Sequence, residues 1–538
     1  MLNKEKRGWW KSAVFYQVYP KSFQDSNADG IGDLQGLISR LDYLEKLGVD
    51  GIWLSPVFAS PQYDNGYDIS DYRAIDPMFG DVSDMEELIA QAKKRGISII
   101  LDLVLNHSSS FHPWFLEAKK SRDNPYHDYY VWRDGEPDTP PNDMRATFGG
   151  SAWTYVPEIG QYYFHQFVPE QPDLNWENPA VRRELYDMIR FWVKKGAGGF
   201  RLDVIDQIAK EPDKFITGSG PKLHEFLREL SREAFVEEGL VTVGEAWSAN
   251  VERAKLFSAP DGSEMSMVFQ FEHICLAFEG EKWNPVKLNL PALKDCMARW
   301  QQGLANCGWN SLFLENHDLP RIVSVWGDEG EHRVASAKML AIFLHGMQGT
   351  PYIYQGQELG MTNVRWPIEN YDDIEIRNFY AERTAQGAAP QDVMAAIYAR
   401  GRDNARTPMQ WTTGENAGFT TGKPWLAVNE NHAFINAEAA LADENSVFYT
   451  YQKLIALRKE LPVIAEGSFA LVDRENSQVF AYRRDLEDAH LLVVCNFAKE
   501  NVSFEIPAEF AGGKLLIANY GEVQEGCLRP FEAFMLLA

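Results

Sequence analysis

The feature that most constrains the fold is an alternation of short apolar runs with segments of helical periodicity, such as residues 34–47. Near-continuous apolar strands are typical of a parallel sheet whose faces are covered by helices. Eight of them predict a closed (β/α)8 TIM barrel, with an open doubly wound sheet as the alternative. The eight runs are residues 14–19, 51–54, 97–104, 199–203, 240–245, 267–271, 311–314 and 351–354.

Two segments depart from this alternation. After the third run, a long stretch rich in Pro, Asp, Gly and aromatic residues precedes the helical pattern near Val181, which indicates an inserted subdomain. After a last helix near 447–460, the tail alternates apolar and polar residues, as an antiparallel β domain does. We therefore expect a barrel in two parts, 1–106 and 177–462, an inserted subdomain at 107–176, and a C-terminal β domain at 463–538.

Charge and composition exclude several classes of function. The 538 residues include 52 Lys and Arg against 77 Asp and Glu, a formal net charge of -25 that repels nucleic acids and anionic lipid surfaces. The N-terminal residues are charged, and no run of about 18 apolar residues follows, so we expect a cytoplasmic protein. Five sparse cysteines without a CxxC pattern predict neither a disulfide framework nor a zinc site.

Charged residues cluster where the predicted strands end. In barrels, the carboxyl ends of the strands form the active-site face, so we expect these side chains to converge on one pocket. Without phosphate-binding glycines or metal-spaced histidines, converging carboxylates suit glycoside hydrolysis. Arg201 lies on the same strand face as Asp203 and is expected to keep that carboxylate ionised. The residues are Asp102, His107, Arg201, Asp203, Glu245, His317 and Asp318.

At these positions the sequence resembles the four signature regions of the α-amylase family, glycoside hydrolase family 13, in their usual order. The resemblance extends from about Trp9 into the C-terminal domain. Residues 171–176 and 405–411 are similar to the oligo-1,6-glucosidase subgroup, and 220–224, 309–313 and 401–406 to its dextran glucosidases, also called glucan 1,6-α-glucosidases. The four regions are 102–107 (DLVLNH), 199–205 (GFRLDVI), 244–247 (GEAW) and 315–318 (ENHD).

The resemblance implies a role for each matching residue. Asp203 resembles the nucleophile, Glu245 the general acid/base and Asp318 the stabiliser of the transition state. Asp64 resembles the group that, with an arginine, holds the non-reducing glucose. Arg402 is the preferred arginine and Arg406 the alternative. The other substrate-binding residues implied are Tyr67 as a stacking platform, His107, Phe148, Phe167, Arg201, Val204, Trp247 and His317.

One residue departs from the subgroup. Glu315 stands before Asn316 where dextran glucosidases are expected to have a neutral side chain. We expect this carboxylate either to alter the detailed specificity or to be solvated at the strand end.

The stretch 25–33 (DSNADGIGD) spaces oxygen ligands two residues apart, as hard cations such as Ca2+ or Mg2+ require. It is not an EF-hand loop, because its twelfth position is Gly36. The resemblance implies a structural calcium site, and a metal-free loop of Asx turns is the alternative. The implied ligands are Asp25, Asn27, Asp29, the carbonyl of Ile31, and Asp33.

The expected activity is that of a retaining, exo-acting α-glucosidase on α-1,6-linked gluco-oligosaccharides. Val204 supports the linkage, because a valine after the nucleophile resembles enzymes that cleave α-1,6 bonds. A broader α-glucosidase, a sucrose isomerase or transglucosidase, and a trehalose-6-phosphate hydrolase remain open. A non-enzymatic protein like the transporter heavy chains is disfavoured, because these need a membrane span and lack the three carboxylates.

Overall fold

The computed structural model describes residues 2–524 and 526–538. Each apolar run predicted as a barrel strand contains a strand. The strands are β1 (Phe15–Val18), β2 (Gly51–Leu54), β3 (Phe58–Ala59), β4 (Asp71–Ile75), β5 (Ser98–Val104), β6 (Trp132–Asp134), β7 (Trp153–Val156), β8 (Gln161–Phe164), β9 (Gly199–Asp203), β10 (Val241–Glu245), β11 (Met267–Phe269), β12 (Ser311–Leu312), β13 (Thr350–Tyr354), β14 (Ser468–Val472), β15 (Val479–Leu486), β16 (Ala489–Asn496), β17 (Val502–Ser503), β18 (Lys514–Ala518), β19 (Cys527–Leu528) and β20 (Ala533–Leu537).

Helices fill the intervals between the barrel strands. Some begin with side-chain caps; in the helix that begins at Pro179, Asn178 accepts from Ala180 N. The α-helices are α1 (Leu34–Ser39), α2 (Leu41–Leu47), α3 (Val82–Lys94), α4 (Pro113–Ala118), α5 (Pro179–Lys194), α6 (Leu223–Ala234), α7 (Val251–Phe257), α8 (Glu272–Cys275), α9 (Leu290–Gly303), α10 (Ile322–Trp326), α11 (Arg333–His345), α12 (Ile374–Ala385), α13 (Pro390–Arg400), α14 (Asp403–Arg406), α15 (Ala437–Ala442), α16 (Val447–Glu460) and α17 (Pro462–Glu466).

Eight strands form one parallel sheet in the order β11, β10, β9, β5, β2, β1, β13, β12. Strand β1 pairs on both sides, with Phe15 opposite Gly51 of β2 and Tyr352 of β13. A parallel bridge between Val268 and Asn310 joins the two ends of the sheet. Each strand therefore lies beside its neighbour in the chain and the sheet closes, which confirms the TIM barrel and excludes the open doubly wound alternative.

Successive side chains of each barrel strand belong alternately to two apolar clusters, because side chains along a strand point to opposite faces in turn. Phe15, Trp53 and Ile100 belong to a buried cluster that collects side chains from most barrel strands and therefore lies inside the barrel. Tyr16 and Ile52, their neighbours in sequence, belong to the larger cluster that includes the helices. Both faces of the barrel strands are therefore buried, which explains why their sequences are almost continuously apolar.

The chain between β5 and α5 forms the inserted subdomain. Its antiparallel sheet has the order β6, β8, β7, and isolated bridges from His107 to Asp173 and from Tyr130 to Leu174 lie at its base. The insertion follows the third barrel strand, as the sequence predicts; its limits at 107 and 176 remain a prediction. This position sets the subdomain above the carboxyl ends of the barrel strands.

The C-terminal part of the chain is antiparallel, as predicted. One sheet has the order β14, β15, β16, β20, β18, and β17 pairs with β19. The hydroxyl of Tyr482 donates to the carbonyl of Phe343 in α11 at 2.8 Å, which joins this sheet to the barrel's helical shell. Among residues 2–524 and 526–538, no helix is long and apolar enough to cross a membrane.

Candidate active site

A cavity of about 460 Å³ opens at the carboxyl ends of the barrel strands. It collects most of the residues predicted to contact substrate, although these are spread over more than 330 positions of the chain. Arg201 and His317 do not line it; both are buried and contact the carboxylates from behind. The predicted residues that line it are Asp64, Tyr67, His107, Phe148, Phe167, Asp203, Val204, Glu245, Trp247, Asp318 and Arg402.

Arg201 organises the floor of the cavity. Its Nη1 donates to Asp203 Oδ1 and Asp102 Oδ1, each at 2.8 Å, and its Nη2 donates to Glu245 Oε2 at 2.5 Å. Asp102 also accepts from the Trp53 indole at 3.0 Å. Three carboxylates from adjacent strands β5, β9 and β10 thus share one guanidinium, which holds Asp203 and Glu245 side by side.

The pKa of Asp203 depends on burial and neighbouring carboxylates as well as on Arg201. Burial raises the pKa of Asp203 well above its usual value, and the charges of Glu245 and Asp102 raise it further, while Arg201 lowers it. The lowering of the pKa by one guanidinium is smaller than the raising of the pKa by burial and two neighbouring carboxylates. Burial also raises the pKa of Asp102 to about 6, against the lowering effect of Arg201. Arg201 lowers the pKa of Asp203, as predicted, but burial and the two neighbouring carboxylates outweigh this effect.

The backbone turns sharply after Asp203. Val204 has φ 35° and ψ 43°, in the left-handed region that a β-branched residue rarely adopts. In this conformation its N–H donates to Glu245 Oε2 at 3.1 Å. The Trp247 indole donates to Glu245 Oε1 at 3.0 Å, so both carboxylate oxygens are held. The strain is stored at the residue that follows the candidate nucleophile.

Two arginines and a histidine surround Asp318. Arg406 Nη2 lies 2.8 Å and Arg402 Nη1 3.3 Å from its Oδ1, and His317 Nε2 lies 3.1 Å from its Oδ2. Burial raises the pKa of Asp318, but His317, Arg402 and Arg406 lower it more, so the net pKa is well below the usual range. Asp318 is ionised at neutral pH, as a residue that stabilises positive charge must be.

One end of the cavity is closed by an ion pair. Arg402 Nη2 lies 3.3 Å from Asp64 Oδ1, and the Arg402 guanidinium lies 4.7 Å from the centre of the Phe148 ring. Asp373, which the sequence analysis did not identify, anchors Arg402 through Nε at 3.0 Å and Nη2 at 2.5 Å. Of the two candidate arginines, Arg402 contacts Asp64, whereas Arg406 binds Asp318 and the carbonyl of His317.

The two histidines are neutral. Burial lowers the pKa of both His107 and His317 to about 3. Gln17 Nε2 lies 2.8 Å from His317 Nδ1, and Tyr67 Oη lies 2.6 Å from His317 Nε2. If the Gln17 amide donates, His317 Nε2 carries the proton and faces Tyr67 and Asp318. The Tyr67 and His317 rings are nearly parallel, with centroids 5.3 Å apart, and the hydrogen bond joins them at their polar edges.

Aromatic rings form the walls. Phe148 lies 5.5 Å from Phe167, which in turn lies 5.2 Å from His107, measured between ring centroids. Trp247 stacks on Phe271 at 3.8 Å and 9°, and 45% of Trp247 remains exposed. One face of the Trp247 ring is therefore covered, and the other is open to the cavity.

Glu315 is not solvated at the strand end, so that expectation is wrong. It is 2% exposed and does not line the cavity. Its Oε1 accepts from Arg321 Nη1 at 3.1 Å, and its Oε2 accepts from Ile322 N at 2.5 Å at the start of α10. This departure from the subgroup is a buried structural ion pair.

The sequence analysis missed the part of the cavity lining that comes mainly from the connections after β11 and β13. Its polar members include Lys282, paired with Glu375 at 2.5 Å, and Arg400. These residues lie in long connections, where no predicted strand end indicates a functional position. The sequence offered one indication of their role, which is a charged side chain in an otherwise apolar stretch. The further lining residues are Thr147, Gln207, Ile274, Phe278, Glu281, Lys282, Trp283, Leu319, Glu375 and Arg400.

The predicted cation loop is folded by its own side chains. Asp25 accepts from the N–H groups of Asn27, Ala28 and Gly30, and Asn27 accepts from Asp29 N. Hydrogen bonds from Thr420, Gly30 and Asn27 outweigh burial and lower the pKa of Asp25. Within the described ranges no group of three or more Asp, Glu, His or Cys side chains forms a metal cluster. A cation here would therefore depend on the amide of Asn27 and the carbonyl of Ile31 as well as on carboxylates.

Comparisons with known proteins agree with this geometry. Residues 17–467 match the α-amylase catalytic domain, and 469–518 match the C-terminal domain of maltogenic amylase. The chain is 51% identical to an oligo-1,6-glucosidase of Parageobacillus thermoglucosidasius and 52% identical to a glucan 1,6-α-glucosidase of Streptococcus pneumoniae, covering 98% of each chain. A crystal structure of Bacillus licheniformis trehalose-6-phosphate hydrolase superposes with a TM-score of 0.95 at 44% identity, covering 98% of this chain and 99% of that one.

The family match spans most of the chain, and the relatives align over nearly their full length. The barrel, the inserted subdomain and the C-terminal sheet occur in the order that the resemblance implies. The chain belongs to the α-amylase family of glycoside hydrolases, glycoside hydrolase family 13.

Proposed function

We propose that the protein is a retaining, exo-acting α-glucosidase that releases glucose from the non-reducing ends of α-1,6-linked gluco-oligosaccharides. The observation that carries the proposal is the Asp64–Arg402 pair, which closes the cavity behind the three carboxylates. A sugar chain cannot pass beyond this pair, so one terminal glucose enters and is removed. An endo-acting enzyme needs a cleft open at both ends.

In the first step, Asp203 attacks the anomeric carbon as the bond to the leaving oxygen breaks, and Glu245 gives its proton to that oxygen. The product of this step is a covalent glucosyl ester on Asp203. Arg201, which contacts both carboxylates, supports their alignment. Direct attack of this kind requires the two carboxyl groups to lie about 5 to 5.5 Å apart.

In the second step, Glu245 takes a proton from water, and the oxygen of that water attacks the anomeric carbon and releases Asp203. Glucose leaves with its original α configuration. Asp318, held ionised by its cations, stabilises the positive charge that develops on the sugar ring in both transition states.

The α-1,6 preference is supported by Val204, which lines the cavity beside Asp203, and by the names of the two relatives. The trehalose-6-phosphate hydrolase similarity keeps a phosphorylated substrate as an alternative. Rates on isomaltotriose, maltotriose, sucrose and trehalose 6-phosphate test the proposal. We expect kcat/KM to be highest for isomaltotriose; a preference for any of the other three would replace this assignment.

We also propose that the loop of residues 25–33 binds a structural Ca2+ or Mg2+ through Asp25, Asn27, Asp29, the carbonyl of Ile31, and Asp33. Carboxylate, amide and carbonyl oxygens are the ligands that these cations prefer. The loop lies outside the cavity, which supports a role in stability rather than in the reaction.

We propose that the enzyme acts in the cytoplasm, on small oligosaccharides that enter the cell. The support is the composition, which has five sparse cysteines and no CxxC pattern, as in proteins of a reducing compartment. Cell fractionation with an antibody against the protein tests this location, and recovery of the protein from the medium would contradict it.

A further inference from the structure

A buried arginine whose side chain makes no hydrogen bond or ion pair with the described residues lies in the cavity wall. Arg400, the last residue of α13, is 3% exposed and lines the cavity beside Phe278, Ile274 and Leu319. Within the described part of the chain it forms no ion pair, and its Nε has no hydrogen-bond partner. Its guanidinium lies 5.1 Å from the centre of the Phe278 ring, which orients it without supplying an acceptor. Burying a charge without acceptors is costly.

The other cavity-lining cations are paired. Lys282 lies 2.5 Å from Glu375, and Arg402, two residues beyond Arg400, contacts Asp373, Asp64 and Asp318. Arg400 therefore differs from them in lacking an acceptor supplied by the described residues. Burial lowers the pKa of Arg400 only to about 10, so the side chain stays charged at neutral pH. The acceptors for this side chain therefore come from what fills the cavity, which is water in the free protein and substrate in the complex.

The position of Arg400 decides which part of a ligand it meets. The glucose to be released lies at the end that Asp64 and Arg402 close. Arg400 lies over Phe278 and beside Ile274 of α8, the helix that directly follows Phe271. Phe271 stacks on Trp247, which hydrogen-bonds the acid/base Glu245, and the acid/base faces the leaving oxygen. Six carboxylate residues line the cavity against Lys282, Arg400 and Arg402, so the electrostatic field disfavours an anionic sugar. Neutral hydroxyl oxygens can accept from Arg400 and are not repelled by the carboxylates around the cavity.

We infer that Arg400 is a specificity residue that donates hydrogen bonds to hydroxyl oxygens of the leaving sugar. The inference rests on the proposed glucosidase activity and adds to it the group that recognises the sugar beyond the scissile bond. The guanidinium binds the leaving sugar in the ground state and in the transition state alike, so its loss raises KM more than it lowers kcat.

The test compares substrates with and without a leaving sugar. In Arg400→Met, which keeps a long apolar side chain against Phe278, we expect kcat/KM for isomaltose and isomaltotriose to fall about 10- to 100-fold, mainly through KM. With α-glucosyl fluoride, whose leaving group is fluoride, kcat/KM should stay within about 2-fold of wild type. Arg400→Lys should be intermediate. The matched control is Arg383→Met, which removes a rim arginine that already pairs with Glu281.

A structural role for Arg400 predicts different results. It would lower kcat/KM equally for isomaltose and glucosyl fluoride and would lower the melting temperature of Arg400→Met. Removal of an unpaired buried charge should instead leave the melting temperature unchanged or raise it. Equal loss on both substrates, or no loss on isomaltose, would overturn the inference.

Two further outcomes separate the inference from the proposed function. If wild type cleaves isomaltotriose well and Arg400→Met is unaffected, only the inference fails. If wild type prefers trehalose 6-phosphate and Arg400→Met loses that preference, Arg400 binds phosphate, and both the neutral-sugar inference and the proposed function are wrong.

Discussion

The backbone N–H of Val204 donates to Oε2 of Glu245 at 3.1 Å and so links the residue after the candidate nucleophile to the candidate acid/base on the next strand. Val204 itself lies in the left-handed region, with φ 35° and ψ 43°. A β-branched residue adopts that conformation only where its surroundings enforce it. The side chain at position 204 is thus coupled to both working carboxylates, and not only to the wall of the cavity.

The role of Asp203 is tested by Asp203→Asn. An amide cannot form the glucosyl ester, so kcat should fall by a factor on the order of 10⁴ or more, with an unchanged circular dichroism spectrum. Asp213→Asn, an exposed carboxylate paired with Arg133, should retain wild-type activity. NMR of the first product should show α-glucose, and β-glucose would contradict the retaining mechanism.

The pH dependence follows from the raised pKa of Asp203. The carboxylate must be ionised to attack, and burial raises its pKa above the ordinary value of 3.8, so kcat/KM should fall as pH decreases through the raised pKa. The loss of kcat/KM at acidic pH should therefore begin clearly above pH 4. Activity recovered on return to pH 7 excludes acid unfolding as the cause. A profile that stays flat down to pH 4 would contradict the raised pKa.

Linkage preference is tested at Val204. We expect Val204→Thr to increase activity on maltotriose relative to isomaltotriose, because a hydroxyl replaces a methyl group in the wall beside the leaving sugar. One methyl-sized change in a pocket alters discrimination by about 1 to 3 kcal/mol, or about 10- to 200-fold. Val204→Ile, which stays apolar and β-branched, is the control. An unchanged ratio in Val204→Thr would remove Val204 from the explanation of linkage specificity.

The Glu315–Arg321 pair should matter for stability and not for specificity. In Glu315→Gln the buried Arg321 loses its carboxylate, so the free energy of unfolding should fall by about 3 kcal/mol in urea denaturation. The ratio of kcat/KM values for isomaltotriose and maltotriose should not change. The double variant Glu315→Gln/Arg321→Met should recover part of the loss. A changed substrate ratio in Glu315→Gln would return this residue to the specificity determinants.

The cation loop is tested by chelation. Binding to the folded state alone raises stability by mass action, so EDTA should lower the melting temperature while leaving the initial rate at low temperature nearly unchanged. Asp29→Ala, which removes an exposed ligand of the loop, should melt at the same temperature with and without EDTA. Asp71→Ala, an exposed aspartate in β4, should keep the wild-type response to EDTA. Loss of activity on chelation without a thermal shift would indicate a catalytic metal instead.

The barrel was predictable because burial on both faces leaves a strong apolar signal in each parallel strand. Asp203 and Glu245 were predictable because each ends a barrel strand, and the carboxyl ends of barrel strands form the pocket. Asp373 and Arg400 were not found, because they lie on α-helical segments and long connections whose approach to the cavity depends on tertiary packing.

Electrostatics was the least predictable part of the site. The sequence places Arg201 two residues from Asp203 but does not report that Asp102 and Glu245 share the same guanidinium. Nor does it report burial, which reverses the expected effect on the pKa of Asp203. In the same way, Glu315 is adjacent to catalytic motif residues, yet its side chain turns into the interior and pairs with Arg321.

The pairing of Phe15 with Tyr352 has a consequence for synthesis on the ribosome. At about 5 to 20 residues per second, the strand that completes the barrel emerges on the order of 20 to 70 s after β1. During that interval one edge of β1 has no native partner, and an unpaired apolar strand edge is prone to aggregation. The nascent chain therefore depends on its early helices, or on a chaperone, to cover that edge until translation passes residue 354.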